Sequence, residues 1–139
     1  DTLTYLKRTQ TILLDVHYAR TKQKYSVVPN PSIDTDRVQL LSRLETLGYD
    51  NVRVLFGDGT LGWPEHAPYN GIAVAAAGPN VPRALQSQLA IGGRMIIPVG
   101  PEFAQLLARI TRESQESFTR EDLSHVRFVP LIGEGAWER

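Results

Sequence analysis

The chain has 139 residues, with 15 Lys+Arg balanced by 15 Asp+Glu, three His and no Cys. An apolar fraction of 42% supplies the core of one domain, zero net charge argues against a dedicated nucleic-acid binder, and the lack of Cys excludes disulfides and thiolate-held metals. No run approaches the ~18 apolar residues of a membrane span, and no signal-peptide core opens the chain, so the expectation is a soluble, cytoplasmic protein without a membrane partner.

The neutral total conceals an asymmetry. Residues 1–31 hold five basic and two acidic side chains, a balance of +3, and the remainder holds ten and thirteen, a balance of −3. The first stretch is mixed polar, basic and aromatic, and it ends in Pro29-Asn30-Pro31. The expected organisation is therefore an atypical segment over 1–31 and a domain over 32–139.

Thr11–Val16 (TILLDV) is the best strand of the first segment. From Asp36 to Leu47, Val38, Leu41, Leu44 and Leu47 recur every three residues, which predicts a helix with Asp34 or Thr35 as N-cap and Gly48 as C′ stop. Val52–Phe56 reads as a strand ended by Gly57-Asp58-Gly59, and Ile72–Ala77 as a buried central strand. Pro82–Leu89 suits a short helix, and Gly92-Gly93 should turn the chain into a strand over Arg94–Val99. Gln105–Thr111, Ser117–Arg120 and Val126–Leu131 are strand-like with short connections, which favours antiparallel pairing. The alternation predicts an α/β, Rossmann-like sheet, mostly parallel and finished by antiparallel C-terminal strands.

Ligands of open α/β sheets bind beyond the carboxyl ends of the strands, and two acidic residues fall at such ends. Asp34, after Ser32-Ile33, suits the hydroxyls of a ribose; Asp58 suits an exocyclic adenine amino group, with glycines beside it that permit close approach. A plain helix cap and a plain turn residue are the competing roles. His17 and His125 have no carboxylate at metal-ligand spacing, and His66 lies in a Pro-bounded loop, so no metal site is expected. Trp63 and Trp137 read as packing anchors, Arg94 and Arg127 as exposed strand charges, and Gly92-Gly93 as a poor phosphate loop because no helix follows it.

The run Leu47–Pro68 (LGYDNVRVLFGDGTLGWPEHAP), together with Ala90–Gly100 and Val126–Trp137, resembles the protein-L-isoaspartate O-methyltransferases. The resemblance covers about Ile33 to Trp137. It implies a class I methyltransferase fold, S-adenosyl-L-methionine as cofactor, and repair of isoaspartyl proteins or peptides. It also implies cofactor contacts at Asp34, Gly57, Asp58 and Gly59, and a substrate side built partly from Val129, Pro130 and Leu131.

Two departures and one smaller change accompany it. The family's glycine-rich loop has no counterpart, since no Gly occurs before Gly48, and its upstream substrate-contacting Ser/Thr segment has no match in residues 1–10; the smaller change is Asn70, where the family usually has Asp. The implied fold is accordingly cut short at its N-terminus, or residues 1–31 are built differently. The implied reaction needs no general base, so no catalytic residue is singled out: a carboxyl with a pKa of roughly 4 is already ionised at neutral pH. Two alternatives are a non-catalytic interaction module of the same fold and a domain that binds another adenine nucleotide.

Overall fold

The computed structural model describes residues 9–15, 24–29, 42, 44–48, 52–55 and 57–138. Seven strands lie in one sheet in the order β3-β2-β1-β4-β5-β6-β7. They are β1 (Thr9–Asp15), β2 (Lys24–Pro29), β3 (Val52–Val54), β4 (Tyr69–Val74), β5 (Leu89–Val99), β6 (Gln105–Arg112) and β7 (Phe118–Val126). One short helix, α1 (Arg83–Ser87), precedes β5. Strands on both sides of residue 31 thus share one sheet.

The strand order over the first five positions is that of a doubly wound α/β fold. The directions depart from the expected balance. Among the described strands, β2–β3 and β4–β5 are parallel, whereas β1–β2, β1–β4, β5–β6 and β6–β7 are antiparallel. Parallel strands are therefore the minority, and the reason lies in connection length. Residues 16–23 are too short a link for a crossover, so β1 and β2 pair head to tail, and β1 then meets β4 antiparallel. At the C-terminal side the antiparallel finish holds as expected, with β5, β6 and β7 joined by short turns.

The core lies on β4, β5 and β6 and beneath α1: Tyr69, Ile72, Leu85, Leu89, Met95, Ile97 and Ile110 are buried together with Leu131. From Ile72 to Val74 burial along β4 follows the strand's period of two, and Tyr69 is also buried because the register to β5 shifts between Tyr69 and Gly71. This strand begins earlier and ends earlier than Ile72–Ala77; Ala77 and Gly78 continue only as isolated bridges, to Pro130 and Val99. In the predicted Pro82–Leu89 helix, Pro82 is the cap and Leu89 already belongs to β5. Ser42 and residues 44–46 are helical and Gly48 stops the turn at φ 75°, its N–H donating to Glu45 O. The remainder of the expected helix, with its candidate caps Asp34 and Thr35, falls on residues outside those described, as do Phe56 and His17.

Two further expectations change. Gly92-Gly93 lies inside β5 rather than before it, where the register to β4 jumps between Tyr69↔Leu89 and Gly71↔Arg94. A side chain at Gly93 would strike Ala90 O and Tyr69 O at 2.8 and 2.9 Å, so this bulge needs glycine. The second is the strand proposed over Val126–Leu131. Pairing with β6 carries β7 from Phe118 to Val126, because backbone hydrogen bonding needs no apolar pattern. Residues 127–131 then leave the edge and run back to Ala77.

Candidate functional site

At the carboxyl ends of β4 and β5, three extended stretches lie side by side. Gly78 N–H donates to Pro98 O, and Gly100 N–H to Gly78 O. On the other side Ala77 N–H donates to Val129 O at 2.8 Å, and Leu131 N–H to Ala77 O at 2.9 Å. Val129–Leu131 thus dock in parallel against the tip of the central strand, at the end where such sheets bind ligands. Val129 is 63% exposed and Pro130 is exposed, whereas Leu131 is fully buried in the core. Alternation along this stretch turns the Pro130 backbone away from Ala77, and proline offers an acceptor there but no N–H.

Beside the docked stretch is a cleft of about 250 Å³, lined by Ala77, Pro101, Glu102, Gln105, Phe128, Pro130 and Trp137. Its floor is held by Gln105, a 3% exposed residue at the start of β6. The Gln105 amide nitrogen donates to Phe128 O (3.2 Å) and its oxygen accepts from Phe128 N–H (2.7 Å). Trp137 closes the far side, its indole N–H donating to Ala77 O at 3.0 Å. Arg127 stands over the ring of the exposed Phe103, 5.3 Å from its centroid, at the rim.

The loop after β3 forms the second part of the site. Asp58 caps a 3-10 turn over Gly59–Leu61. One carboxylate oxygen, Oδ1, accepts from Thr60 N–H (2.9 Å) and from Thr60 Oγ1 (2.6 Å). The other, Oδ2, accepts from Glu134 N–H at 2.8 Å. A carboxylate has about four lone-pair sites, so one acceptor position is left, on Oδ2. Nothing lies within 4 Å of where a Gly57 side chain would begin, and Gly59 is buried. Behind the loop, the nearly buried Gln88 accepts from Trp63 N–H and donates to Leu61 O, both at 2.9 Å, and the Tyr69 hydroxyl donates to Trp63 O. His66 meets the Trp63 ring edge-on at 4.5 Å, a packing contact.

The structure therefore brings Gly57, Asp58 and Gly59 to the sheet end that also carries Val129, Pro130 and Leu131, and it joins the two groups through Glu134. Asp34 lies outside the described residues. Sequence reasoning missed Gln105 and Thr60. Thr60 had a local signal, since Asp-Gly-Thr offers a hydroxyl and an amide two residues after an Asp. Gln105 had none, because its partner is far along the chain.

A sheet of this order, with a loop after β3 and a cleft beyond β4 and β5 at its carboxyl end, defines a Rossmann-like α/β domain. No helix among the described residues is long and apolar enough to cross a membrane. The family model for protein-L-isoaspartate(D-aspartate) O-methyltransferase matches residues 20–136, and the chain belongs to that family. It is 55% identical over 96 residues to protein-L-isoaspartate O-methyltransferase 1 of Geotalea uraniireducens, covering 68% of this chain and 44% of that protein. Protein-L-isoaspartate O-methyltransferase 2 of Pelobacter propionicus is also 55% identical over 96 residues, at 68% and 43% coverage. The chain thus spans under half the length of these curated relatives. A solved protein-L-isoaspartate O-methyltransferase structure superposes with a TM-score of 0.67 at 26% identity, covering 80% of this chain and 35% of that one.

Proposed function

We propose that this chain serves S-adenosyl-L-methionine-dependent methylation of L-isoaspartyl carboxylates in damaged proteins. The observation that carries the reading is the position of Asp58 in a family member: its remaining Oδ2 acceptor site lies at the carboxyl end of the sheet, on the loop that also holds Glu134 and Gly135, just beyond the Val129–Leu131 segment. One acceptor beside an uncrowded glycine fits the amino group of an adenine. Gly57 and Gly59 would let backbone approach the ring, and Asp34 would take the ribose hydroxyls.

When bound, the cofactor supplies a methyl group carried on a positively charged sulfur. The acceptor carboxylate brings its own lone pair and is ionised at neutral pH, so no residue of this chain has to remove a proton. The chain's contribution is alignment and exclusion of water around a reacting ion pair. Val129 and Pro130, exposed beside the cleft, would receive an extended peptide, and backbone contacts along such an edge tolerate many sequences. Work in the cytoplasm belongs to the same proposal and rests on composition alone.

Calorimetric titration with S-adenosylhomocysteine tests the cofactor, and labelled methyl incorporation into an isoaspartyl peptide against its aspartyl twin tests the substrate. Saturable heat and labelling of the isoaspartyl peptide alone are expected. Absence of heat at millimolar ligand would overturn this reading in favour of a non-catalytic module of the same fold.

A further inference from the structure

The carboxylate of Asp58 does two things in the same place, and the second is not needed for holding a ligand. Through Oδ2 it accepts from the amide of Glu134, and through Oδ1 it accepts from the Thr60 hydroxyl, which itself accepts from the Gly135 amide at 2.9 Å. Two consecutive amides of the C-terminal loop are therefore tied to one carboxylate, one directly and one through Thr60. The fit leaves no slack. A side chain at Gly133 would overlap Asp58 Oδ1, and one at Gly135 would press on Thr60 at 3.1 Å. Thr60 is fully buried.

The same loop is closed on itself and on the cleft. Gly133 N–H donates to Trp137 O, Trp137 N–H to Leu131 O, and the Trp137 indole to Ala77 O. Movement at Glu134 and Gly135 is thereby transmitted to Leu131, and so to the Val129–Pro130 stretch that borders the cleft.

We infer that Thr60 is a positioning residue that couples the adenine-facing carboxylate of Asp58 to the docking of the C-terminal segment, so that the ligand site and the cleft edge are set together. The hydroxyl fixes Oδ1 with a short bond, which leaves the orientation of Oδ2 determined. Its second bond, to Gly135, makes that orientation depend on the loop being in place. This rests on the proposed reading of Asp58 as an adenine contact. Linkage requires the effect to run both ways: a ligand on Oδ2 should tighten the loop, and loosening the loop should weaken the ligand.

The test uses the full chain and S-adenosylhomocysteine as probe. In wild type, the ligand should slow hydrogen exchange at the Glu134 and Gly135 amides, read by NMR. Thr60→Val, which keeps the shape and removes the hydroxyl, should weaken binding about tenfold, the scale of one hydrogen bond to a charged group. Thr60→Ser should restore both affinity and ligand-dependent protection, which a purely space-filling role would not. Ser87→Ala, at the exposed end of α1, serves as a control with wild-type affinity. Wild-type affinity in Thr60→Val overturns the inference while the proposed function stands. If that variant does not fold, unchanged exchange at Glu134 and Gly135 in ligand-saturated wild type overturns it instead. Failure of wild type to bind the probe at all overturns the proposed function and this coupling with it.

Discussion

Gln105 and Asp58 grip the same C-terminal segment from opposite ends, at Phe128 and at Glu134, yet they do so with different chemistry. Gln105 is buried and neutral, and its amide is used on both sides by the Phe128 backbone. Asp58 is partly buried, and after three internal bonds its carboxylate keeps one acceptor position. A neutral group with both ends matched is suited to architecture and leaves little for a ligand. A carboxylate with spare capacity serves architecture and recognition together, so substitutions there should affect both. The first clamp should therefore show up in stability, and the second in stability and binding at once.

The largest effect is expected where the neutral clamp is removed. Gln105→Leu keeps the bulk but leaves the Phe128 N–H and C=O without partners against an apolar wall. The expected loss is about 3 kcal/mol in urea unfolding, with a lower midpoint and an unchanged slope. A loss below about 0.5 kcal/mol, the range of ordinary surface changes, would show that the segment does not depend on this end.

Gly133→Ala attacks the other clamp from the loop side, leaving residue 58 an Asp but setting a methyl against its carboxylate. The new methyl must displace the carboxylate or the loop, at a cost of about 1–3 kcal/mol. S-adenosylhomocysteine binding should fall with it. If binding stayed at the wild-type level, the two roles of Asp58 would be separable after all. Asp58→Asn should cost less in stability, about 1–2 kcal/mol, because one oxygen remains to accept from Thr60. Its NH₂, in place of Oδ2, would face the Glu134 amide donor against donor and leave no acceptor for the proposed adenine contact, so an affinity loss of about tenfold is expected by calorimetry.

The two clamps also differ in how far they could be read from sequence. Gly57-Asp58-Gly59 stood out because glycines around an acid after a strand form a local pattern, and the residues that position Asp58 are its own neighbours. Its bond to Glu134, 76 residues away, left no trace of that kind. The Gln105–Phe128 clamp was illegible throughout, since a glutamine at the start of a strand looks like any polar strand end until the fold buries it. The fold itself divides in the same way. The run of small apolar residues from Ile72 and the punctuation around Pro82 located β4 and α1 to within a few residues. The length of β7 escaped because its side chains are almost all exposed and its position comes from backbone pairing with β6. The parallel balance escaped because β1 and β2 are joined by a link too short for a crossover, so both β1 pairings are antiparallel.

Trp137 braces the stretch between the clamps through Ala77, which bonds Val129 and Leu131, and offers the smallest test. Trp137→Phe keeps an aromatic ring over the cleft and deletes the indole N–H that donates to Ala77 O. That carbonyl still accepts from Leu131 N–H, so no buried acceptor is stranded, and the expected loss is about 0.5–1 kcal/mol in urea unfolding. Ligand affinity should change by less than twofold if the segment is fixed chiefly at its two ends. A tenfold fall in affinity from this single deletion would move the control of the site to the middle of the segment. The contrast between a structural clamp at Phe128 and a shared one at Glu134 would then have to be replaced by one continuous support.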